Sequence, residues 1–258
     1  MTTPNNLTQL SKQTESILGS PFEWCTIPSG KSTLLDASDY GGTSGGIYPV
    51  TAFAMGKYLI TNGQYKNFAE HPNGFCNPNW WNYSPQARQW RKDHPHPMPT
   101  AFPGMMFPCT RVSWFDAVAF CNWFSAEIMA VIRLPTEQEW QRAAVGDTGW
   151  MFPWGNELDE TRGNFANRVR QVSAVGSFPG GQSPFGVMDM TGNLWEWCQT
   201  IWGTDRTELD GYAYRVFRGG AWNVSNPEYL RAIDRGEGHS PRGRLNDCGF
   251  RIVYQYSK

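Results

Sequence analysis

Three places in the chain carry residue types whose spacing alone could do chemistry. Gly42-Thr-Ser44-Gly-Gly46 fits the G-x-S-x-G pattern that lifts a nucleophilic serine onto a strained strand-to-helix turn. That chemistry needs an apolar strand before the serine and a helix after it. Here the polar run Asp36-Ala-Ser-Asp-Tyr40 precedes and a β-like stretch follows, so a plain glycine turn is expected. Asp93-His94-Pro-His96 sets two imidazoles on one face of an extended chain, a spacing able to chelate a metal. Only His71 and His239 remain elsewhere and no acidic cluster accompanies the pair, which points to an exposed proline-rich loop. The cysteines, at 25, 76, 109, 121, 198 and 248, show no C-x-x-C spacing and read as buried reduced thiols. No two carboxylates are spaced for acid–base work, and no glycine-rich phosphate loop precedes a helix.

The elements that must position any site are short. Among 258 residues there are 27 Gly, 18 Pro and 13 Trp, with only 17% charged, which describes a turn-rich chain packed on large aromatic blocks. A net charge of -1 offers no field for nucleic acid or an anionic membrane. No apolar run reaches the roughly 18 residues that cross a bilayer, and polar Met1–Ser20 lacks the pattern of a secretory signal. A cytoplasmic protein with neither nucleic-acid partner nor membrane insertion is the expectation. Residues 1–20 read as a loosely ordered lead-in to one domain over 21–258. Phe22–Ile27 and Tyr48–Lys57 read as strands, and Thr61–Glu70 as a short helix with Tyr65 and Phe68 on one face. Pro72–Pro108 reads as a long loop packed by its own aromatics. Ser113-Trp-Phe-Asp116 opens the most buried helix, running to about Ile132. Thr136-Glu-Gln-Glu139 is a capping box for a second helix that stops at Gly146.

A series of motifs then follows in order: Phe53-Ala-Met-Gly56, Val112-Ser-Trp-Phe-Asp-Ala117, Arg133-Leu-Pro-Thr-Glu-Gln-Glu-Trp140 and Phe152-Pro-Trp-Gly-Asn156. Phe185-Gly-Val-Met-Asp-Met-Thr-Gly-Asn-Leu-Trp-Glu-Trp197, Arg218-Gly-Gly-Ala-Trp222 and Gly249-Phe-Arg-Ile252 complete it. Over about residues 20–254 the series resembles the formylglycine-generating-enzyme/sulfatase-modifying superfamily. The resemblance implies an α+β fold, a single C-type-lectin-like domain of the formylglycine-generating-enzyme type, irregular and turn-rich. Trp140, Trp154, Trp195 and Trp197 would then be packing blocks. It also allows a structural calcium ion beside Gly192-Asn193-Leu-Trp-Glu196, held largely by backbone carbonyls with asparagine and acidic side chains, Asn193 and Asn164 among the candidates, and otherwise requires no cofactor.

The departure from the enzymes is as informative. They carry two cysteines shortly after Arg-Gly-Gly-Ser that bind copper as thiolates. Val224 and Tyr229 stand at those positions here, and neither ligates Cu(I). The resemblance thus points away from catalysis. The alternatives are a formylglycine-generating-type oxidoreductase, or a degenerate regulatory scaffold associating with another domain or protein.

One subgroup of this fold displays variable residues: the target proteins of diversity-generating retroelements. Their adenine-directed rewriting turns AAC codons into NNC, which encodes neither Lys, Gln, Glu, Met nor Trp. Asn223–Cys248 contains no Lys, Gln, Met or Trp, although Trp and Met number 13 and 9 across the chain. Only Glu228 and Glu237 break the rule. Trp222, Asn223, Pro227, Leu230, Arg231, Arg235, Pro241, Arg244, Gly249, Phe250 and Arg251 read as a fixed frame. Val224, Ser225, Asn226, Tyr229, Ile233, Asp234 and Gly236 read as fillers, followed by Gly238, His239, Arg242, Gly243, Leu245, Asn246 and Asp247. The fillers share no common chemistry, unlike a catalytic constellation. Gly219, Gly220 and Gly249 would shape the backbone by turns, and Arg231, Arg235 and Arg244 would hold it through carbonyls. The reading is a ligand-binding, receptor-like protein whose partner is unknown and expected to be a protein. Tyr229, Ile233, His239, Arg242 and Leu245 are its leading affinity carriers.

Overall fold

Phe53-Ala-Met-Gly56 is buried at every position, as a strand covered on both faces must be. In the computed structural model, which describes residues 4–236 and 238–256, this run forms a strand of a four-stranded antiparallel sheet. Met1–Thr3, Glu237, Ser257 and Lys258, and the expectations that fall on them, lie outside the described residues. The strands of the first sheet are β1 (Trp24–Ile27), β4 (Phe53–Gly56), β10 (Val253–Gln255) and β5 (Ile132–Arg133), in that order. Val253 pairs with Met55 on one side and Arg133 on the other, so the last strand is an interior one. Between β1 and β4 the chain makes a hairpin of β2 (Gly30–Leu34) and β3 (Gly46–Val50).

A second sheet runs in the order β8 (Gly238–His239), β7 (Arg215–Arg218), β6 (Trp195–Ile201), β9 (Cys248–Gly249). Its β6–β9 pair is parallel, with Trp195 opposite Cys248.

Among the described residues five α-helices pack around these sheets. α4 (Trp114–Ile128) starts where Ser113 Oγ accepts the Asp116 amide at 3.1 Å. It is apolar on nearly every side, and Phe115 and Phe120 are both 0% exposed. It stops at Met129 in a left-handed conformation, short of the expected Ile132, because Ile132 is used by β5. α5 (Glu137–Val145) has the reciprocal cap: Thr136 Oγ1 accepts the Glu139 amide at 3.2 Å, and Glu139 Oε2 accepts the Thr136 amide at 2.9 Å. α2 (Asn62–Glu70) begins from a similar box at Thr61 and buries Tyr65 and Phe68. Phe120 meets Phe250 edge-on at 5.3 Å and Phe68 at 5.6 Å, tying α4, α2 and the end of the chain into one aromatic core.

Two expectations are corrected. Within the expected lead-in the described residues are not loose: α1 (Pro4–Leu18) is a helix whose Leu7, Leu10, Ile17 and Leu18 pack on the core. Thr14, on the same stripe, accepts the Trp24 Nε1 hydrogen at 3.1 Å. The Pro72–Pro108 segment is not all loop either. Ser84 caps α3 (Pro85–Asp93), with proline in the first helical turn, where its missing N–H costs nothing. Among the tryptophans named above, Trp140 and Trp197 are fully buried, whereas Trp154 and Trp195 are only half-buried. No helix among the described residues is long and apolar enough to cross a membrane.

Candidate ligand-binding face

Alternation along β6 and β7 gives the second sheet two unlike faces. Glu196 and Arg218, paired across the strands, turn into the core. Trp195, Trp197 and Phe217 turn the other way, with Trp197 and Phe217 4.1 Å apart. His239 of β8 stacks on Phe217 at 5.2 Å, with ring planes 16° apart. Above this floor lies a cavity of about 240 Å³, walled by Tyr229, Leu245, Asp247 and the backbone of Gly236 and Gly238. Six of its eight lining residues therefore come from the predicted filler positions; Trp195 and Phe217 supply the floor.

The segment around the cavity is held by its main chain. The carbonyls of Val224, Leu245 and Asp247 accept the amides of Ala166 at 2.8 Å, Arg111 at 2.9 Å and Trp195 at 2.9 Å. Pro241 O accepts the Trp114 amide at 3.1 Å, which anchors the segment to the start of α4.

Buried ion pairs do the rest. Glu137, 0% exposed, accepts Arg218 Nη1 at 2.9 Å and Arg235 Nε and Nη2 at 2.9 and 2.6 Å. Arg218 also bonds Gln141 and the Ala232 carbonyl, and Arg235 reaches the Leu35 and Thr43 carbonyls at 3.2 and 3.0 Å. Arg251 grips Glu196 with two bonds of 2.6 Å, and Arg244 meets Asp116 at 2.9 Å. Trp222 meets Phe102 edge-on, Asn223 donates to Asp247, and Phe250 is buried. Arg231 and Arg244 depart from the expected pattern: among the described residues Arg231 is partly exposed and meets Glu228 at 3.6 Å, Arg244 meets the Asp116 carboxylate and the Trp90 ring, and neither grips a carbonyl.

None of the fourteen filler residues is buried, but they do not all look into the cavity. Val224 packs beside Phe152, Phe165 and Leu230, while Ser225 and Asn226 are exposed, Asn226 capping the short turn at Pro227–Leu230. Ile233 faces a different cleft, along β2 and α5. Asp234, its carboxyl pushed up by burial, accepts the Gly236 amide at 3.0 Å. Arg242 lies 3.9 Å over the Tyr212 ring, and Asn246 accepts Arg111 Nε at 2.7 Å. Two glycine fillers are less free than the sequence suggests. Gly236 has φ of +61°, and a Cβ there would lie 2.8 Å from the Phe217 carbonyl. At Gly238 a Cβ would run into Trp202. Gly243 is milder, facing the movable His239 ring.

The other chemical candidates are occupied elsewhere. Ser44 lies exposed in the β2–β3 turn, with no helix behind it. His94 ends α3 and stacks 3.7 Å from Trp90, while His96 is exposed. The six cysteines are unpaired; Cys109, Cys121, Cys198 and Cys248 are buried, Cys25 partly so, and Cys76, against expectation, is exposed. Burial pushes the Cys248 thiol well above the ordinary range, with Asp247 and Glu196 adding to the effect. Around Asn193 the oxygens are committed. Asn193 Oδ1 accepts the Ser173 amide at 3.0 Å, and Glu196 holds Arg251. Asn164 Oδ1 alone is left buried without a partner, and no group of three or more His, Cys, Asp or Glu gathers among the described residues. Calcium takes about six to eight oxygens; of these side chains Asn164 Oδ1 is left to ligate one, and the rest of such a shell would fall to backbone carbonyls.

Residues 19–256 match the family described as the sulfatase-modifying factor enzyme 1-like domain. Hercynine oxygenase of Mycobacterium tuberculosis is 30% identical over 242 residues, covering 81% of this chain and 54% of that protein. The chain thus spans about half the length of the oxygenases it matches. The inactive C-alpha-formylglycine-generating enzyme 2 of Mus musculus is 27% identical, covering 88% of this chain and 84% of that one. Treponema denticola variable protein 1 superposes with a TM-score of 0.68 at 20% identity, covering 92% of this chain and 96% of the other. At that identity the likeness shows the fold, the α+β, turn-rich architecture of the formylglycine-generating-enzyme type.

Proposed function

The chain belongs to the sulfatase-modifying factor enzyme 1-like family, and from that membership we propose a non-catalytic, receptor-like protein whose segment 223–248 presents a diversified face to a protein partner. One observation carries the reading. At Val224, Leu245 and Asp247 the carbonyls are held by amides of the surrounding scaffold, while the side chains stay partly exposed. A main-chain bond is indifferent to the side chain beside it, so such positions can change without loosening the fold. Names among the relatives agree with this: one is called inactive, another a variable protein.

Catalysis by the family's thiolate chemistry has no support in the side chains. Val224 sits in an apolar cluster, Tyr229 is 44% exposed on the cavity rim, and burial keeps the Cys248 thiol protonated. Ligand binding by this face needs no cofactor. Purified protein given copper and a Cys-x-Pro-x-Arg peptide should form no formylglycine; turnover that disappears in Cys248→Ser would restore the oxidoreductase. The diversification itself is tested in the neighbouring DNA. A near-copy of the stretch encoding 223–251 should lie beside a reverse-transcriptase gene, differing almost wholly where the copy has adenine. An absent copy, or mismatches spread over all four bases, would remove the reading.

A further inference from the structure

We infer that the cavity of this face receives one cationic side chain of a protein partner, an arginine guanidinium laid over the aromatic floor and against Asp247. The inference rests on the receptor reading and names the chemistry that the present set of residues selects. The floor offers ring faces: His239 stacks on Phe217, and Trp195 lies nearly parallel to Phe217, with planes 18° apart. Ring faces are the negative part of an aromatic quadrupole and attract cations. Tyr229, 44% exposed, stands on the rim and can close over a guest.

Charge points the same way. Among the described lining residues Asp247 is the one carboxylate, and there is no Lys or Arg. The cations nearby are used elsewhere: Arg242 covers Tyr212, Arg235 is bound to Glu137, and Arg244 to Asp116. Asp247 Oδ2 accepts from the neutral amide of Asn223 at 3.1 Å, and among the described residues no cation pairs with it. Size narrows the guest. A volume of about 240 Å³ lies below the roughly 300 Å³ at which sites for whole small molecules begin, and so suits a single side chain. A guanidinium stacks flat on rings and presents a fork of N–H donors to a carboxylate, which a rounded ammonium does not.

The test is a tryptophan-fluorescence titration of the full chain with Nα-acetylarginine amide and with its uncharged isostere, Nα-acetylcitrulline amide. The arginine probe should bind at least about tenfold more tightly than citrulline. Asp247→Asn should abolish that preference, and Tyr229→Ala should weaken binding of both probes. Equal binding of the two probes, binding of neither, or a preference that survives Asp247→Asn would overturn the inference. The comparison of probes uses the unaltered protein, so no variant has to fold for the inference to fail. The two readings also fail separately. A template copy with no arginine preference sinks only the cation site; an arginine preference with no template copy sinks only the diversification.

Discussion

Replacing Glu137 by glutamine tests how the face is held. The carboxylate is 0% exposed and accepts three hydrogen bonds from two guanidiniums, those of Arg218 and Arg235, themselves buried. Glutamine keeps the shape but removes the charge, and its amide hydrogens face donors. Removing one partner of a buried ion pair costs about 3–5 kcal/mol, because the remaining charge is stranded in a poor solvent. Two charges are stranded here, so the upper part of that range applies. For a domain of this size each kcal/mol moves Tm by about 2–4 °C, which predicts a fall of roughly 10–20 °C. Thermal unfolding followed by circular dichroism measures it. Replacing Glu137, Arg218 and Arg235 together by apolar residues of similar volume should recover much of the loss, since a paired charge was never cheap to bury. A fall of less than about 2 °C in Glu137→Gln would refute the argument that this carboxylate clamps the segment.

Thr136→Ala removes the acceptor of the Glu139 amide and should cost about 1 kcal/mol in urea unfolding. Gly236→Ala, forced into a left-handed conformation against the Phe217 carbonyl, should cost about 1–3 kcal/mol. Ser225→Ala, on the open surface, should stay within about 0.5 kcal/mol, measured in the same way. Burial pushes the Asp189 carboxyl from 3.8 up to about 6, against the opposing hydrogen bond from the Gly176 amide. Between those values the native state keeps a proton that the unfolded chain has released. The Asp189 contribution to stability should therefore be fully present below about pH 4 and be lost, by roughly 3 kcal/mol, as pH rises through about 6. Asp189→Asn should flatten that stretch of a stability-against-pH curve; an unchanged slope would discard the assignment.

Local signals proved readable where they were self-contained. The Thr136 box, the Gly146 stop and the all-round apolar helix from Trp114 each follow from a few adjacent residues. α1 was equally readable, with Leu7, Leu10, Thr14 and Leu18 on one stripe, but its polar composition hid that spacing. Ser84-Pro85 likewise announced α3 inside a segment dominated by its prolines. The cavity could not be read in the same way. Alternation in Trp-Glu-Trp and Arg-Val-Phe-Arg tells which residues share a face, not that the strands lie side by side with His239 beyond them. The Glu137 cluster joins residues far apart in sequence, and nothing local to Glu137 or Arg235 names the other. The glycine fillers failed for a related reason: composition reads Gly236 as one more variable residue, whereas its positive φ and the neighbouring carbonyl leave little room for a side chain.

The place of β10 has a consequence during synthesis. Residues 253–255 fill the gap between β4 and β5, so both strands keep an open edge until those residues have left the ribosome. An open edge is a hazard for aggregation and a mark for degradation. A message that stopped anywhere in 223–248 would yield a product that cannot close its first sheet. The three stop codons end in A or G. Under the proposed diversification, which rewrites codons to forms ending in C, none would be written, and each product would retain the strand that completes the sheet.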